Sequence, residues 1–216
     1  CSEKNVSYVK NYAPVEHKAY QGVTPALGGM TGLYENRTGS ASTISYCYNY
    51  ASVNGHDTGI SGGMIGQNRY KCANMNHCYN YGDISGAKAG GILGEYADTE
   101  VSRNIEICGN FGDLTGTNAG GMIGGGADRT VTLTLCANVG CIKTSGTGGG
   151  MTGYDSSNAS FYRCRNYGNG TTSSGAEFYG ISKNYKTMNQ CLNLSNQVLK
   201  MAGVNKTAQS ITNYSF

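Results

Sequence analysis

Apolar residues along this chain are not spaced for a helix face; they return in short blocks at a long, nearly constant interval. Two blocks alternate strictly. The first is Cys-x-Asn, at Cys47-Tyr48-Asn49, Cys78-Tyr79-Asn80, Cys108-Gly109-Asn110, Cys136-Ala137-Asn138, Cys164-Arg165-Asn166 and Cys191-Leu192-Asn193, with steps of 31, 30, 28, 28 and 27 residues between cysteines. The second is Gly-Gly-(Met/Ile)-x-Gly, beginning at Gly28, Gly62, Gly90, Gly120 and Gly149, with a worn copy at Tyr179-Gly180-Ile181. Degenerate copies of the first block, Val9-Lys10-Asn11 and Ile211-Thr212-Asn213, put an aliphatic residue where the others have cysteine. That exchange marks the cysteine position as interior and apolar, and atypical end copies are what a stacked array uses as caps.

Segments such as Tyr81-Gly82-Asp83-Ile84-Ser85-Gly86 and Phe111-Gly112-Asp113-Leu114-Thr115-Gly116 are short, glycine-punctuated and rich in aromatic or β-branched residues. Such composition opposes helix and predicts strands of a few residues joined by tight turns. The expected fold is all-β: a right-handed parallel β-helix (solenoid) of about seven to eight turns, ~29 residues per turn, with equivalent strands stacked about 4.8 Å apart. A four-stranded propeller blade needs a longer unit. Residues 1–216 form a single β-solenoid domain in this reading, with 1–27 an atypical N-terminal turn and 195–216 an atypical C-terminal turn or cap. Ser195 to Ala202 reads as a short helix with Ser195 as its N-cap.

Stacked repeats turn each repeated position into a column. The cysteine column (Cys47, Cys78, Cys108, Cys136, Cys164, Cys191) reads as buried, reduced thiols, since successive parallel rungs do not offer disulfide geometry. The asparagine column (Asn49, Asn80, Asn110, Asn138, Asn166, Asn193, with Asn11 and Asn213 at the ends) reads as a structural amide ladder. Met30, Met64, Ile92, Met122, Met151 and Ile181 read as core, and the glycines beside them as sites of left-handed or closely approaching backbone. If cysteine points inward, its successor points outward, so Tyr48 and Tyr79 are expected exposed on neighbouring turns. Together with Tyr50 and Tyr81 they are the candidate ligand contacts, for a surface glycan or a protein.

Composition narrows the function classes. The chain has 216 residues with 34 glycines, 17 tyrosines and nine cysteines, and its formal net charge is only +3. A weak, scattered charge gives no basis for nucleic-acid binding. No run of 18 apolar residues marks a membrane-spanning helix. No Cys-x-x-Cys or His-Glu-x-x-His spacing occurs, so neither metal nor cofactor is expected. Cys1, Cys72 and Cys141 lie outside the column. Cys1 followed by Ser2 looks like the mature end of a bacterial lipoprotein, making it the candidate lipidation site and a route to membrane attachment; the alternative is a boundary within a longer polypeptide. Asp83 and Asp113 share a column, as two facing carboxylates for calcium or glycoside hydrolysis would, with Lys88 or Arg103 as helpers. The competing reading makes both aspartates solvated turn residues.

The alternation of Gly-Gly-Met-Ile-Gly with Cys-Tyr-Asn-Tyr-Gly-Asp-Ile-Ser-Gly resembles the GLUG repeat. That repeat is named for its Gly-Leu-x-Gly core and occurs in bacterial surface proteins, including adhesins and the non-catalytic region of immunoglobulin-A-cleaving metallopeptidases. Here Met or Ile replaces leucine, as in Gly63-Met64-Ile65-Gly66 and Gly91-Ile92-Leu93-Gly94. The resemblance implies a non-enzymatic solenoid at the cell surface or outside the cell, acting as an adhesive, scaffolding or glycan/protein-binding module, lipid-anchored to the outer membrane if Cys1 is acylated. One alternative is a β-helix polysaccharide lyase or hydrolase. Another is a subunit of an extracellular polymer that self-associates end to end through its open sheet edges.

Overall fold

The protein is described by a computed structural model over residues 5–17, 24–36, 42–70, 73–97, 102–126, 130–154 and 156–195. Its described secondary structure is all β, and successive turns pair in parallel, giving a β-solenoid. Side one stacks Val6–Ser7, Thr43–Ser45, Asn74–Asn76, Arg103–Glu106, Val131–Thr134, Ala159–Tyr162 and Thr187–Asn189. Side two stacks the Cys-x-Asn strands Lys10–Asn11, Tyr48–Asn49, Tyr79–Asn80, Gly109–Asn110, Ala137–Asn138, Arg165–Asn166 and Leu192–Asn193. Side three is built on Ile84–Gly90, Leu114–Gly120 and Ile142–Gly149, and side four on Thr31–Asn36, Ile65–Tyr70, Leu93–Tyr96 and Ile123–Gly126.

Four turns carry all four sides, and a fifth reaches side four through the Ile123–Thr152 bridge, so the solenoid spans about five turns. The expected seven to eight turns counted every copy of Cys-x-Asn, but the later copies stack on the first three sides without adding a strand to side four. Nor is the turn length uniform: the step along the asparagine column runs from 38 residues at the N-terminal end to 27 at the other. The helix expected from Ser195 to Ala202, the copy at Ile211, Cys1 and Cys72 lie outside the described residues, Ser195 itself excepted.

Two apolar cores run along the rod. The larger gathers side one, the cysteine column and the Met/Ile column, with Met64, Ile92, Met122, Met151 and Ile181 fully buried. The smaller lies behind side three, on Val53, Ile84, Leu114, Ile142, Ala89 and Ala119. Between them the asparagine ladder crosses the interior. Each Nδ2 donates to the Oδ1 of the next rung at 2.7–2.9 Å, from Asn11 to Asn193, and also to the carbonyl two residues on. One amide therefore satisfies its own buried donors and the acceptor of its neighbour, which is why no apolar residue replaces it.

The glycines beside this ladder answer to close approach. A Cβ on Gly91, Gly121 or Gly150 would overlap the asparagine of the adjacent rung and a carbonyl oxygen of the next turn. The repeated left-handed position falls elsewhere: Tyr8, Tyr46, His77, Ile107, Leu135, Arg163 and Gln190, each just before the cysteine column, have φ of 51–61°, and His56 and Tyr70 are left-handed outside that column. Of the described glycines, Gly175 alone has positive φ. Of the two roles expected for the repeat glycines, close approach holds and left-handed backbone does not; the left-handed corner is held by ordinary residues at about 1–2 kcal/mol each. The cross-turn amide bonds on either side, such as Tyr46 N to Asn76 O at 3.1 Å and Tyr79 N to Cys47 O at 2.9 Å, fix it there.

Candidate functional site

Two outward surfaces stand out. The first covers the N-terminal part of side two. Ring centroids of Tyr12–Tyr50, Tyr50–Tyr81 and Tyr81–Phe111 lie 4.9, 5.0 and 4.9 Å apart, with planes within 9° of parallel. The left-handed corner carries a second file, Tyr8–Tyr46–His77, at 5.2 and 4.8 Å. Tyr48 and Tyr79 stack at 5.8 Å between the files, and the Lys10 ammonium lies 5.7 Å from the Tyr48 centroid. The rung spacing of parallel strands is what stacks the rings, because identical side chains one rung apart meet face to face.

The structure redistributes the predicted contacts. Tyr48 and Tyr79 are half-buried, whereas Tyr50 and Tyr81 are the exposed pair, at 41% and 43%. The outward file continues through Phe111, Val139, Tyr167 and Leu194, all exposed. Stacking also decides what the file presents. Tyr50 is sandwiched between Tyr12 and Tyr81, and Tyr81 between Tyr50 and Phe111, so their ring faces are occupied and their edges and hydroxyls look outward. Burial among these neighbours pushes the Tyr79 and Tyr81 phenols above their ordinary range, so both remain neutral donors.

The second surface is a groove of about 450 Å³ on side three, which the sequence reading missed. Its long wall is one column, Asn54, Ser85, Thr115, Lys143 and Thr171, paired rung to rung over five turns. Its middle is formed by continuous strands, whereas both ends are interrupted. At one end a turn at 55–59 separates Val53–Asn54 from Ile60–Gly62, and at the other a turn at 173–176 separates Gly170–Thr172 from Glu177–Tyr179. The first turn is closed by Gly59 N to Gly55 O at 2.9 Å and places His56 and Asp57 at the groove end; the second is closed by Ala176 N to Ser173 O at 3.1 Å.

The carboxylate pair has a different occupation. Asp83 Oδ1 accepts the backbone N–H of Asp113 at 2.9 Å, and Asp113 Oδ1 accepts that of Cys141 at 2.8 Å. Each side chain joins one turn to the next at an exposed corner. Arg103 is 2% exposed and donates to the Ser102 and Tyr70 carbonyls at 3.0 Å, and Lys88 is paired with Glu95. Lys88 and Arg103 are engaged apart from the aspartates, so the four residues do not meet in one cleft. The six column cysteines are buried free thiols, donating to the carbonyl two residues earlier, as Cys47 does to Ser45 O at 3.3 Å. Hydrogen bonding to neighbouring thiols and burial push the Cys47, Cys78, Cys164 and Cys191 thiols up, Cys78 to about 12. Cys141 is an exposed free thiol.

A solved structure from Bacteroides ovatus, described as a candidate immunoglobulin A1 protease, matches this fold with a TM-score of 0.58. The two chains are 19% identical over 82% of this chain and 67% of that one. At that identity the likeness shows the solenoid fold and carries no site with it. No family model matches the chain, and neither does any curated protein. The GLUG resemblance therefore rests on the repeat residues themselves.

Proposed function

We propose that this chain is a non-catalytic β-solenoid binding module of a bacterial cell surface, docking a protein partner through the aromatic face of side two. The observation that supports the reading is the edge-on presentation of the stacked rings. Sugar recognition by an aromatic platform needs open ring faces, and those of Tyr50 and Tyr81 are covered by their neighbours. A row of rigid rings with outward hydroxyls offers a large amphipathic contact at low entropic cost, as tyrosine does in protein interfaces. The engagement of Asp83, Asp113, Lys88 and Arg103 in the scaffold favours this reading over a lyase or hydrolase. Acylation of Cys1, a further turn at Ile211 and end-to-end stacking are compatible additions to the same proposal.

Beads coated with the purified chain test it on intact target cells. Adhesion is expected to fall at least tenfold with the triple substitution Tyr50→Ser, Tyr81→Ser and Phe111→Ser, and to vanish after protease treatment of the target. Adhesion that persists after proteolysis but is lost to glycosidases would overturn the choice of partner. Cleavage of immunoglobulin A1 or of a polysaccharide by the purified chain would overturn the non-catalytic reading.

A further inference from the structure

We infer that the groove on side three is a second binding site, shaped for a short, unbranched, acidic oligosaccharide lying parallel to the rod. Three features carry this, and none involves the aromatic face.

The first is length. From Asn54 to Thr171 the column spans four rung steps, about 19 Å at the spacing of parallel strands. Extended pyranose chains advance by nearly one rung per residue, so about four sugars align with the rungs. The inserted turns at Gly55–Gly59 and Ser173–Ala176 break the strands at both ends of this stretch, so the groove is a trough of finite length. The volume falls within the range of small-ligand sites.

The second is chemistry. The wall repeats hydroxyl or amide groups at nearly every rung, and Gly86 and Gly116 leave room beside them. The lining contains no Phe, Tyr, Leu or Ile. It offers hydrogen bonds and small methyl contacts, which fit the hydroxyls and C–H faces of a sugar and give an apolar peptide side chain nothing to enter.

The third is charge. Lys143 is exposed in the column between Thr115 and Thr171 and forms no ion pair among the described residues. Asp57 lies three rungs away, about 14 Å, which exceeds the screening length at physiological salt. A carboxylate on an inner sugar therefore meets Lys143, while Asp57 repels acid at the opposite end and fixes the chain's direction.

The test is titration of the purified chain with tetra- to hexasaccharides carrying a single uronate or sialate, each beside its neutral counterpart, followed by amide chemical shifts. At least one acidic member is expected to bind, shifting Thr115, Lys143 and Thr171. Lys143→Gln should lower its affinity about tenfold, to that of the neutral counterpart, and Thr115→Tyr, which fills the trough from an exposed position, should abolish binding. Thr132→Tyr on side one is the control for surface aromatics. The proposal is overturned if no acidic member binds at millimolar concentration, if neutral and acidic members bind alike, or if Lys143→Gln changes nothing. Because Thr115→Tyr leaves side two intact, loss of sugar binding and loss of cell adhesion are separate results.

Discussion

Replacing Asn110 by alanine probes the ladder where its energetics are clearest. Asn110 is fully buried; it donates to Gly112 O and Asn138 Oδ1 and accepts from Asn80 Nδ2, all at 2.8 Å. Alanine removes three bonds and strands three buried groups at once: one N–H of Asn80, Oδ1 of Asn138 and the carbonyl of Gly112. At about 1–3 kcal/mol for each group, with water in the vacated space recovering part, the loss is about 3–5 kcal/mol. Asn110→Asp should cost more near neutral pH, because a carboxylate cannot donate to the two acceptors it faces, and should recover in part in acid, where the returning proton serves one of them. Asn11, on the less buried first rung, should cost about 1 kcal/mol or less when changed to alanine. Urea unfolding gives the free energies, and native-state hydrogen exchange shows whether protection is lost first around the substituted turn. Equal losses at Asn110 and Asn11, or a loss under 1 kcal/mol at Asn110, would refute the ladder as the axis of stability.

Three more outcomes follow from the same geometry. Gly121→Ala should destabilise by at least about 3 kcal/mol in urea unfolding, because its Cβ would overlap the Gly150 carbonyl and Asn138. Ile107→Asn, at φ 52°, should raise the unfolding free energy by about 1 kcal/mol, read as a higher urea midpoint, since a β-branched residue is strained in that region and asparagine is not. The raised thiol of Cys78 implies loss of stability in alkali. An unfolded cysteine ionises near 9.0 and the folded one near 12, so stability is full below 9.0 and falls between the two by about 1.4 kcal/mol per pH unit per thiol. Urea midpoints across that range should drop, and Cys78→Val should flatten the curve.

The columns were legible because a solenoid writes its interior into sequence periodicity. Cysteine and asparagine recur once per turn because each turn must offer the same small apolar group and the same amide to its neighbour. The left-handed corner was not legible: Tyr46, His77, Ile107, Leu135, Arg163 and Gln190 share no chemistry, and the conformation is imposed by backbone bonds from adjacent turns. Alternation correctly sent Tyr48 and Tyr79 outward but not their burial, which comes from the rings flanking them; Tyr79, for instance, lies over Gly109 with Phe111 beside it. For Asp83 and Asp113 the sequence leaves facing carboxylates and solvated turn residues both open, and neither reading contains the backbone N–H of the next turn that each side chain accepts. The groove depends on two insertions four turns apart, and no local pattern joins Gly55–Gly59 to Ser173–Ala176.

The claim that side two is the docking face is tested most directly by photo-crosslinking. A photoreactive phenylalanine placed at Tyr81, and separately at Thr132 on side one, would be irradiated with the chain bound to intact target cells. The account predicts a saturable adduct with one protein species from position 81, none from position 132, and competition by unlabelled wild-type chain but not by the Tyr50→Ser, Tyr81→Ser, Phe111→Ser variant. No protein adduct from position 81, or the same adducts from both positions, would contradict it.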